Sequence, residues 1–513
     1  MNSEWAGSPL ASLLAAALIA GCAGLPSQQD RSATHALAPS DDSPLGRAVL
    51  PHTREHPGLT GVVAMSDGRV AFGVRASLAR SAARSIDIQT FIWHPDSTGT
   101  LMFEEVLSAA ERGVRVRLLL DDLNLAGTGM DPTLALLASN PNLELRLYNP
   151  FVDRASLALG YLGDFTRLNH RMHNKSFTVD NVVSVVGGRN IADEYFEIGK
   201  MGLVDLDVVV AGDAVRQVSA EFDLFWNSAS AYPAASIIGG VSPEPREALA
   251  RRAQAIRDDP DSAKYADAIA HSDLAEALLA GTARAEWTTA RLVHDDPAKT
   301  LASEDRKDLL LLPKLVEAFG RPAKSLDLIS PYFVPGDAGT QALAALVQRG
   351  VQVRVLTNSL ASTDVKSVQS GYLKHRDALL RAGVQIFELK PDASSIEHRA
   401  REIGHGSKAG LHAKTYTVDG RAIFVGSFNL DPRSARLNTE MGLVIDSAIL
   451  ARHLSSAVDA AYPGLAYRVT IGPDGDPRWE DGSGKVYATD PDTGWFERAV
   501  VIIGSWLPIE WML

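Results

Sequence analysis

The sequence lacks the cysteines that build disulfide frameworks and the motifs that mark nucleotide and zinc sites. Cys22 is the one cysteine in 513 residues, so no intramolecular disulfide can form. The chain contains no Gly-x-x-x-x-Gly-Lys-Ser/Thr loop and no His-Glu-x-x-His or Cys-x-x-Cys pattern. Neither a nucleotide phosphate site nor a zinc site is therefore predicted, and we expect no cofactor and no metal ion.

Positive charge is also scarce. The formal net charge is −12 and the isoelectric point is about 5.6, and no long basic run is present. Proteins that cut or bind nucleic acids need basic surface to gather the polyanion. The acidic composition therefore disfavours a nucleic-acid partner, although it leaves room for a local basic patch.

The sequence near the N-terminus has no apolar run long enough to span a bilayer. The stretch over residues 10–20 is too short, and it leads into Ile-Ala-Gly-Cys22. This ending resembles the lipobox of bacterial lipoproteins, which implies a signal peptide over residues 1–22 and a lipidated Cys22. The implied location is the bacterial cell envelope, anchored to the inner or outer membrane and facing the periplasm. The leader carries Glu4 and no Lys or Arg, so a cleaved or purely hydrophobic leader is the alternative.

Two copies of the pattern His-x-Lys-x-x-x-x-Asp are the most informative feature of the chain. The copies consist of His173, Lys175 and Asp180, and of His412, Lys414 and Asp419, and we predict that all six residues belong to the catalytic site. Side chains two apart in a strand project to the same face, so each copy presents an imidazole beside an ammonium group. Two such sites can hold one phosphodiester. One imidazole attacks phosphorus, the other protonates the leaving alkoxide, and the lysines neutralise the non-bridging oxygens.

The surroundings of the two motifs repeat as well. Asn190 and Asn429 each lie 17 residues beyond the histidine of their motif, in the sequences Gly-Gly-Arg-Asn and Gly-Ser-Phe-Asn. Ser427 has no hydroxyl counterpart, because Gly188 occupies the matching position. Segments 84–93, 112–120 and 142–150 match segments 324–333, 349–357 and 383–391. A repeat of this length is a domain.

Strands and helices alternate within each copy, which predicts an α/β fold with a largely parallel sheet covered by helices. We expect two tandem α/β domains, residues 51–230 and 286–460, related by a pseudo-twofold axis, with a shared active site at their interface. Residues 23–50 are predicted to be a flexible tether, and residues 231–285 a helical connector without chemistry. The tryptophan-rich tail, residues 461–513, either lies at a lipid interface or docks on the protein's own core.

The doubled motif, with its Gly-Gly-x-Asn and Gly-Ser-x-Asn followers, resembles the phospholipase D superfamily. The resemblance is closest to the bacterial cardiolipin synthase C group. It rests on the stretches 167–175, 186–191, 356–361, 426–434 and 507–513, and it runs from about residue 50 to the C-terminus. It therefore identifies the two predicted domains as phospholipase D-like.

This resemblance implies a role for each matching residue. His173 would form a phosphatidyl-histidine intermediate and His412 would act as acid and base, although the near-symmetry leaves the assignment reversible. The phosphate oxygens would be bound by the two lysines together with Asn190, Asn429 and Ser427. The family also orients each histidine through a carboxylate, and alignment of the repeats places Glu440 with His412 and Asp205 with His173. A surface carboxylate at a strand start is the alternative for each.

Three functions remain open from the sequence. The first is a phosphatidyltransferase that makes cardiolipin from phosphatidylglycerol and a second phospholipid, for which phosphatidylethanolamine is a candidate. The second is a hydrolase with water as acceptor, either a phospholipase D or, less favoured, a nuclease. The third is a non-enzymatic envelope lipoprotein. The expected partners are phospholipids and a membrane surface, and an accessory protein stays undetermined. The basic run over residues 167–171 either binds lipid headgroups or forms a solvated face.

Overall fold

The computed structural model describes residues 24–28, 31–196, 201–260, 262, 271–303, 306–391 and 408–513. The predicted signal peptide and Cys22 lie outside these residues. Within them, no helix combines the length and the apolar character needed to cross a bilayer. The described chain forms two α/β domains, one for each copy of the repeat.

Domain 1 is built on a nine-stranded sheet. Its strands, with a short strand outside the sheet, are β1 (Thr60–Met65), β2 (Ser85–Thr90), β3 (Arg115–Asp121), β4 (Leu143–Tyr148), β5 (Ser176–Val179), β6 (Val183–Gly187), β7 (Met201–Val204), β8 (Asp207–Gly212), β9 (Ala231–Pro233) and β10 (Glu286–Thr288). Its helices are α1 (Pro44–Glu55), α2 (Gly68–Ser81), α3 (Ser97–Glu111), α4 (Asp131–Ser139), α5 (Leu157–Leu168), α6 (Asp213–Trp226), α7 (Ala234–Ile237), α8 (Arg246–Asp258) and α9 (Asp273–Leu279). The strand order is β10-β1-β8-β6-β5-β2-β3-β4-β9, and β7 stands apart.

Domain 2 repeats this plan on a ten-stranded sheet, with one further short strand outside the sheet. Its strands are β11 (Ala290–His294), β12 (Ser325–Ile329), β13 (Gln352–Asn358), β14 (Gln385–Leu389), β15 (Lys408–Leu411), β16 (Thr415–Val418), β17 (Ala422–Gly426), β18 (Met441–Ile445), β19 (Ala466–Ile471), β20 (Pro477–Glu480) and β21 (Val486–Tyr487). Its helices are α10 (Leu311–Phe319), α11 (Gly336–Gln348), α12 (Lys366–Arg381), α13 (Ala448–Gly464) and α14 (Trp495–Trp506). Short 3-10 turns cover Asp193–Phe196, Pro297–Thr300, Lys307–Leu309 and Glu510–Met512, and a π-helical turn covers Arg433–Leu437.

Both sheets are mixed, and the expectation of a largely parallel sheet is wrong. Only the central triplets β2-β3-β4 and β12-β13-β14 run parallel. The strands that carry and follow the motifs, β5-β6-β8 and β16-β17-β18, pair antiparallel. Helical crossovers predict the parallel triplets, whereas the short turns after the motifs return the chain beside the strand it has just left.

The aspartate of each motif lies at the far end of its strand from the histidine. Asp180 and Asp419 adopt positive φ angles of 53° and 56° in the turns that follow β5 and β16. Asp180 Oδ1 accepts hydrogen bonds from the backbone N–H groups of Arg84 and Ser85, at 2.8 and 3.0 Å. Asp419 accepts the matching bonds from residues 324 and 325. The predicted catalytic placement of these two aspartates is therefore corrected, because their carboxylates tie a turn to the start of the neighbouring strand.

The two sheets meet through an apolar core. Valines of β1, β6 and β8 pack against Ile423, Val425 and Leu443 of domain 2. A two-stranded ladder also joins the domains, since β7 of domain 1 pairs in parallel with β15 of domain 2. The interface therefore combines apolar burial with backbone hydrogen bonds, and both restrict how the halves can move against each other.

The segments outside the two predicted domains are packed against them. Arg31 donates to the carbonyls of Asn227 and Ala231, both at 2.7 Å, and Trp226 donates to Thr34 Oγ1 at 2.8 Å. The described part of the predicted tether therefore lies along domain 1, because its side chains bind backbone groups beyond the end of α6. In the predicted connector, α8 packs on α3, where Arg246 donates to Glu111 at 2.8 Å. In the predicted tail, β19 adds a strand beside β14 and α14 packs on α12.

Candidate active site

Both motif histidines lie beyond the carboxyl end of a parallel strand. Ser176 of β5 pairs with Gln89 near the end of β2, and Thr415 of β16 pairs with Ile329 at the end of β12. The histidine and lysine that precede each pairing strand thus project past the end of the sheet, where ligands bind in α/β folds. All four side chains are buried. The apolar half of each motif forms the predicted strand, whereas the histidine and the lysine lie just before that strand and not within it.

The residues just before each motif pair with backbone of the opposite domain. Met172 forms a parallel bridge with Thr439, and the His173 N–H donates to the Thr439 carbonyl at 2.9 Å. In the β7-β15 ladder, Leu411 pairs with Val204, and the His412 N–H donates to the Val204 carbonyl at 2.8 Å. In a parallel pair, a step of one residue along one strand corresponds to a step of one residue along the other, so the residues that follow a bridged pair are also neighbours. This register sets His173 beside Glu440 and His412 beside Asp205.

Each imidazole donates from Nδ1 to that carboxylate. The His173 Nδ1 to Glu440 Oε2 distance is 2.8 Å, and the His412 Nδ1 to Asp205 Oδ2 distance is 2.6 Å. The predicted carboxylates are both present, but the predicted pairing is wrong: each histidine is held by the carboxylate of the other domain. A carboxylate on Nδ1 fixes the tautomer and leaves Nε2 for the substrate.

The two carboxylates are held in different ways. Glu440 accepts from the hydroxyls of Ser427 and Ser434, at 2.5 and 2.8 Å. Ser427 is therefore directed at Glu440, and its predicted contact with phosphate is corrected to a positioning contact. At the matching place in domain 1, a Cβ on Gly188 would come within 2.4 Å of Asp205 Oδ1. Glycine is thus required where Asp205 fills the space.

The lysines and asparagines supply groups that suit phosphate oxygens. Lys175 Nζ donates to the His173 carbonyl at 2.6 Å, and Lys414 makes the matching bond to His412. Among the described residues, Asn190 Nδ2 and Asn429 Oδ1 are buried without a hydrogen-bond partner. The two ends of an amide exchange by a half-turn of the side chain, so both asparagines can offer N–H donors. Buried amide groups of this kind are costly unless a ligand binds them.

Burial and the gathered positive charges disfavour protonation of both imidazoles. Burial, followed by the charges of Lys175, Lys414 and His412, holds the pKa of His173 well below its usual value of 6.5. Burial and the Lys414 charge also lower the pKa of His412, while the Asp205 carboxylate opposes the shift. Burial lowers the pKa of Lys414 to about 8 and that of Lys175 well below 10.5. A bound phosphodiester would reverse this balance by adding negative charge.

The two carboxylates have very different pKa values. Burial raises the pKa of Glu440 to about 7, although Lys175 and the two serine hydroxyls favour the ionised form. Burial opposes ionisation of Asp205, but the attraction and hydrogen bond of His412, together with the charges of Lys414 and Arg189, outweigh it, and the pKa of Asp205 is about 2. His412 therefore faces a permanent anion near neutral pH, whereas His173 faces a group that titrates there.

Several residues of the site were not predicted from the sequence. Phe91 packs edge-on against His173 with ring centroids 5.1 Å apart, and Tyr195 packs in the same way against His412 at 4.9 Å. Phe91 lies in a repeated segment in which its counterpart is Pro331, and this difference between the repeats could have marked Phe91 as a residue specific to one half of the site. Arg171 of the basic run is buried and pairs with Asp121 at 2.8 Å. Neither headgroup binding nor a solvated face, the two interpretations of this run, fits Arg171.

One cluster of potential metal ligands occurs among the described residues, close to this site. Ligand atoms of His94, Asp96 and Glu194 lie within 4.8 Å of one another. Asp96 already caps the start of α3 by accepting from the Gly99 N–H, and its other oxygen accepts from the Asp193 N–H. The cluster is half-buried, and we assign it no part in the reaction.

The chain is similar to known proteins over most of its length. The family model described as "Cardiolipin synthase, PLD-like domain" matches residues 76–226 and 315–461. Cardiolipin synthase C of Escherichia coli is 42% identical over 475 residues, covering 91% of this chain and 99% of that protein. A cardiolipin synthase of Oceanobacillus iheyensis is 25% identical over 403 residues, covering 78% of this chain and 68% of that protein.

A solved structure shares the fold. The crystal structure of phosphatidylserine synthase from Haemophilus influenzae superimposes with a TM-score of 0.56 at 15% identity, covering 92% of this chain and all of that one. The two segments matched by the family model fall one in each domain, and each contains one histidine motif. The chain therefore belongs to the family of phospholipase D-like cardiolipin synthase domains.

Proposed function

We propose that the protein is a phosphatidyltransferase that makes cardiolipin. In this reaction the phosphatidyl group of one phospholipid passes to the glycerol headgroup of phosphatidylglycerol. The observation that carries the proposal is the pair of imidazoles, each oriented through Nδ1 by a carboxylate of the opposite domain. The lipid substrates are inferred from the 42% identity to cardiolipin synthase C.

The reaction divides into two displacements at phosphorus. In the first, His173 Nε2 attacks the phosphorus of the donor lipid, the bond from phosphorus to the headgroup oxygen breaks, and His412 protonates the leaving alcohol. In the second, His412 removes the proton from a hydroxyl of phosphatidylglycerol, that oxygen attacks phosphorus, and the bond to His173 breaks. The covalent intermediate retains the energy of the phosphodiester, so no nucleotide is consumed.

The electrostatics support His173 as the nucleophile. A nucleophilic imidazole must be neutral, and burial together with three nearby positive or titratable groups holds the pKa of His173 well below 6.5. An acid and base must carry a proton in turn, and an ionised partner stabilises its protonated form. Asp205 provides that partner for His412, since its pKa is about 2.

Four side chains would bind the transferred phosphate. Lys175 and Lys414 would neutralise the non-bridging oxygens, and the amides of Asn190 and Asn429 would donate to them. The unpaired amide atoms and the buried ammonium groups support this assignment. Glu440 and Asp205 act through the imidazoles, and Ser427 acts through Glu440.

Membrane attachment and location extend the proposal beyond the described residues. Lipid substrates require access to a membrane, and the lipobox-like sequence supports an anchor on Cys22. Such an anchor would place the enzyme in the bacterial cell envelope, facing the periplasm. This compartment suits a reaction that uses no nucleotide. Metabolic labelling with a radioactive fatty acid tests the anchor, because a Cys22→Ser variant should lose the label.

The experiment that tests the reaction uses purified full-length protein and phosphatidylglycerol vesicles, with and without phosphatidylethanolamine. Mass spectrometry should detect cardiolipin as a product. Phosphatidic acid without any cardiolipin would instead identify a hydrolase. Phosphatidylethanolamine with deuterated acyl chains identifies the donor, since label in cardiolipin appears only if this lipid gives its phosphatidyl group. Of the control variants, His173→Ala should form no cardiolipin and His412→Ala should form it roughly 10³-fold more slowly, and unchanged product in either would refute the catalytic assignment.

A further inference from the structure

Helix α14 presents an apolar face to the outside of the molecule. Residues 499–507 carry no charge, and Val501 is the buried side chain of the helix. The helix rests on α12 at close range, since a Cβ on Gly504 would come within 2.5 Å of Ser370 Oγ. Its outer face bears tryptophan at both ends, where Trp495 is 75% and Trp506 is 76% exposed, with Phe496, Val500 and Ile503 between them. Docking on the protein therefore uses one side of the helix and leaves the aromatic side open.

Helix α5 of domain 1 has a second such face. Leu159 is 61% and Leu162 is 85% exposed, one helical turn apart, and Phe165 follows after a break in the helix at Asp164. Isolated exposed leucines are ordinary, but clusters of large apolar side chains on a soluble surface mark interaction sites. Domain 1 and domain 2 each contribute one of these helices.

Both helices lie at the end of the sheets where the histidines are. Helix α5 follows β4, and its C-cap residue Asn169 precedes His173 by four residues. Arg433 donates to the Asn169 side chain at 2.7 Å and to the Met512 carbonyl at 2.9 Å. The neighbouring residue, Ser434, holds Glu440. One arginine therefore joins the end of α5, the chain that follows α14, and the turn that positions the site.

The start of α14 is tied to the same region. Glu497 accepts from Lys366, the first residue of α12, at 2.7 Å. Two residues earlier, Asp364 accepts from Tyr332, which follows the carboxyl end of β12, at 2.8 Å. The first turn of α14 is thus tied, through the start of α12, to the carboxyl end of β12, which is the end of the sheet where His412 lies.

We propose that the outer faces of α5 and α14 insert into the interfacial layer of a phospholipid bilayer and hold the mouth of the site against it. The inference rests on the proposed function, because a lipid substrate keeps its acyl chains in the bilayer while its phosphate enters the site. Tryptophan prefers the interface, where its ring is half apolar and its N–H is hydrated. A second copy of the chain on this face would close the route by which lipids arrive.

The test measures binding of the full-length protein to vesicles of phosphatidylglycerol and phosphatidylethanolamine by sedimentation. All proteins carry Cys22→Ser, so that no lipid anchor contributes. The test variant combines Leu159→Ser, Leu162→Ser, Trp495→Ser and Trp506→Ser, which change exposed side chains only. Its vesicle partition coefficient should fall at least roughly tenfold. The matched control combines Val316→Ser and Val486→Ser, which are 60% and 59% exposed outside the two helices, and it should bind as the parent does.

Activity separates this proposal from the proposed function. The test variant should lose cardiolipin synthesis on vesicles but retain it on short-chain phospholipids dispersed as monomers. A His173→Ala variant should bind vesicles as the parent does and make no cardiolipin. A parent that binds vesicles without making cardiolipin would overturn the proposed function and leave the membrane surface standing.

Two results would overturn the membrane surface. One is a test variant that binds vesicles as tightly as the parent. The other is a parent that sediments as a dimer and a test variant that sediments as a monomer, which would assign this face to self-association. Variants that change α5 alone or α14 alone should each give intermediate binding, and near-parental melting temperatures would show that all of them fold.

Discussion

The two imidazoles of the site occupy equivalent positions but face carboxylates of different acidity. Glu440 has a pKa of about 7, because burial outweighs the hydroxyl and ammonium groups around it. Asp205 has a pKa of about 2, because His412 and Lys414 outweigh its burial. The duplication therefore does not produce two identical halves. Pairs of titratable groups whose environments separate their pKa values mark the division between acid and base roles.

This division predicts how each histidine variant responds to the leaving group. His412→Ala should lower cardiolipin synthesis by roughly 10³-fold, because the departing alkoxide is no longer protonated. With a phosphatidyl p-nitrophenol donor, whose leaving group needs no proton, release of nitrophenol by this variant should recover to within about tenfold of the parent. His173→Ala should show no such recovery, because no covalent bond to phosphorus can form. The measurement is the absorbance burst of nitrophenolate, and recovery in His173→Ala instead would reverse the assignment.

The pKa shifts also predict a narrow pH optimum. Glu440 takes up a proton as the pH falls through about 7 and then no longer holds His173 with an ionised acceptor, so activity should fall on the acid side. Lys414 loses its proton as the pH rises through about 8, and the clamp on the phosphate then weakens, so activity should fall on the alkaline side. The profile of kcat/KM should therefore be bell-shaped between these values.

Two variants separate the limbs of that profile. Lys414→Arg should move the alkaline limb to higher pH, because a guanidinium stays protonated there. Glu440→Gln should be slow at every pH and lack the acid limb. If the alkaline limb of Lys414→Arg stays where it is in the parent, another group titrates there.

The aspartate of each motif stabilises the turn that follows its strand. Asp180 accepts hydrogen bonds from three backbone N–H groups at the start of β2, and Asp419 accepts from the three equivalent groups at the start of β12. We therefore expect Asp180→Ala to lower the free energy of unfolding by about 1–3 kcal/mol, because these donors lose their acceptor. The kcat of the folded fraction should stay within a few-fold of the parent. Urea unfolding and activity assays on the same samples would test both.

The histidine variants provide the matched comparison for that prediction. His173→Ala should remove activity while changing the unfolding midpoint little, the reverse of the result for Asp180→Ala. If Asp180→Ala unfolded like the parent but were inactive, Asp180 would belong to the chemistry after all.

Element positions could be predicted where the pattern is local. The apolar runs of β2 and β12, and those that follow each motif lysine, predicted strands at the right places, because side-chain periodicity depends on backbone geometry alone. Strand direction could not be predicted in this way, since periodicity is the same for parallel and antiparallel pairs. Composition was also misleading for residues 31–43. This polar stretch is typical of linkers, but Arg31 donates to the backbone carbonyls of Asn227 and Ala231, which follow α6 some 200 residues further along the chain.

The pairing of each histidine with a carboxylate depends on how the two domains pack, and the sequence alone did not predict it. The two carboxylates beside the imidazoles could be predicted, since the repeat alignment includes both. The histidine that each carboxylate contacts could not be predicted. Alignment matches positions of one repeat with positions of the other and does not show which residues meet across the domain interface. The crossing occurs at the Met172–Thr439 bridge and at the β7-β15 ladder. Each half thus depends on the other for the orientation of its imidazole.

The crossed pairing is testable in the intact protein by NMR of selectively ¹⁵N-histidine-labelled samples. Signals of His173 and His412 are assigned by their loss in the two alanine variants. Glu440→Gln should shift the Nδ1–H resonance of His173 and leave His412 nearly unchanged. Asp205→Asn should act on His412 instead and lower its pKa, because the carboxylate that raises this pKa is removed. If Glu440→Gln acted on His412, each domain would orient its own histidine, and the two halves of the site would be independent of the ladders that join them.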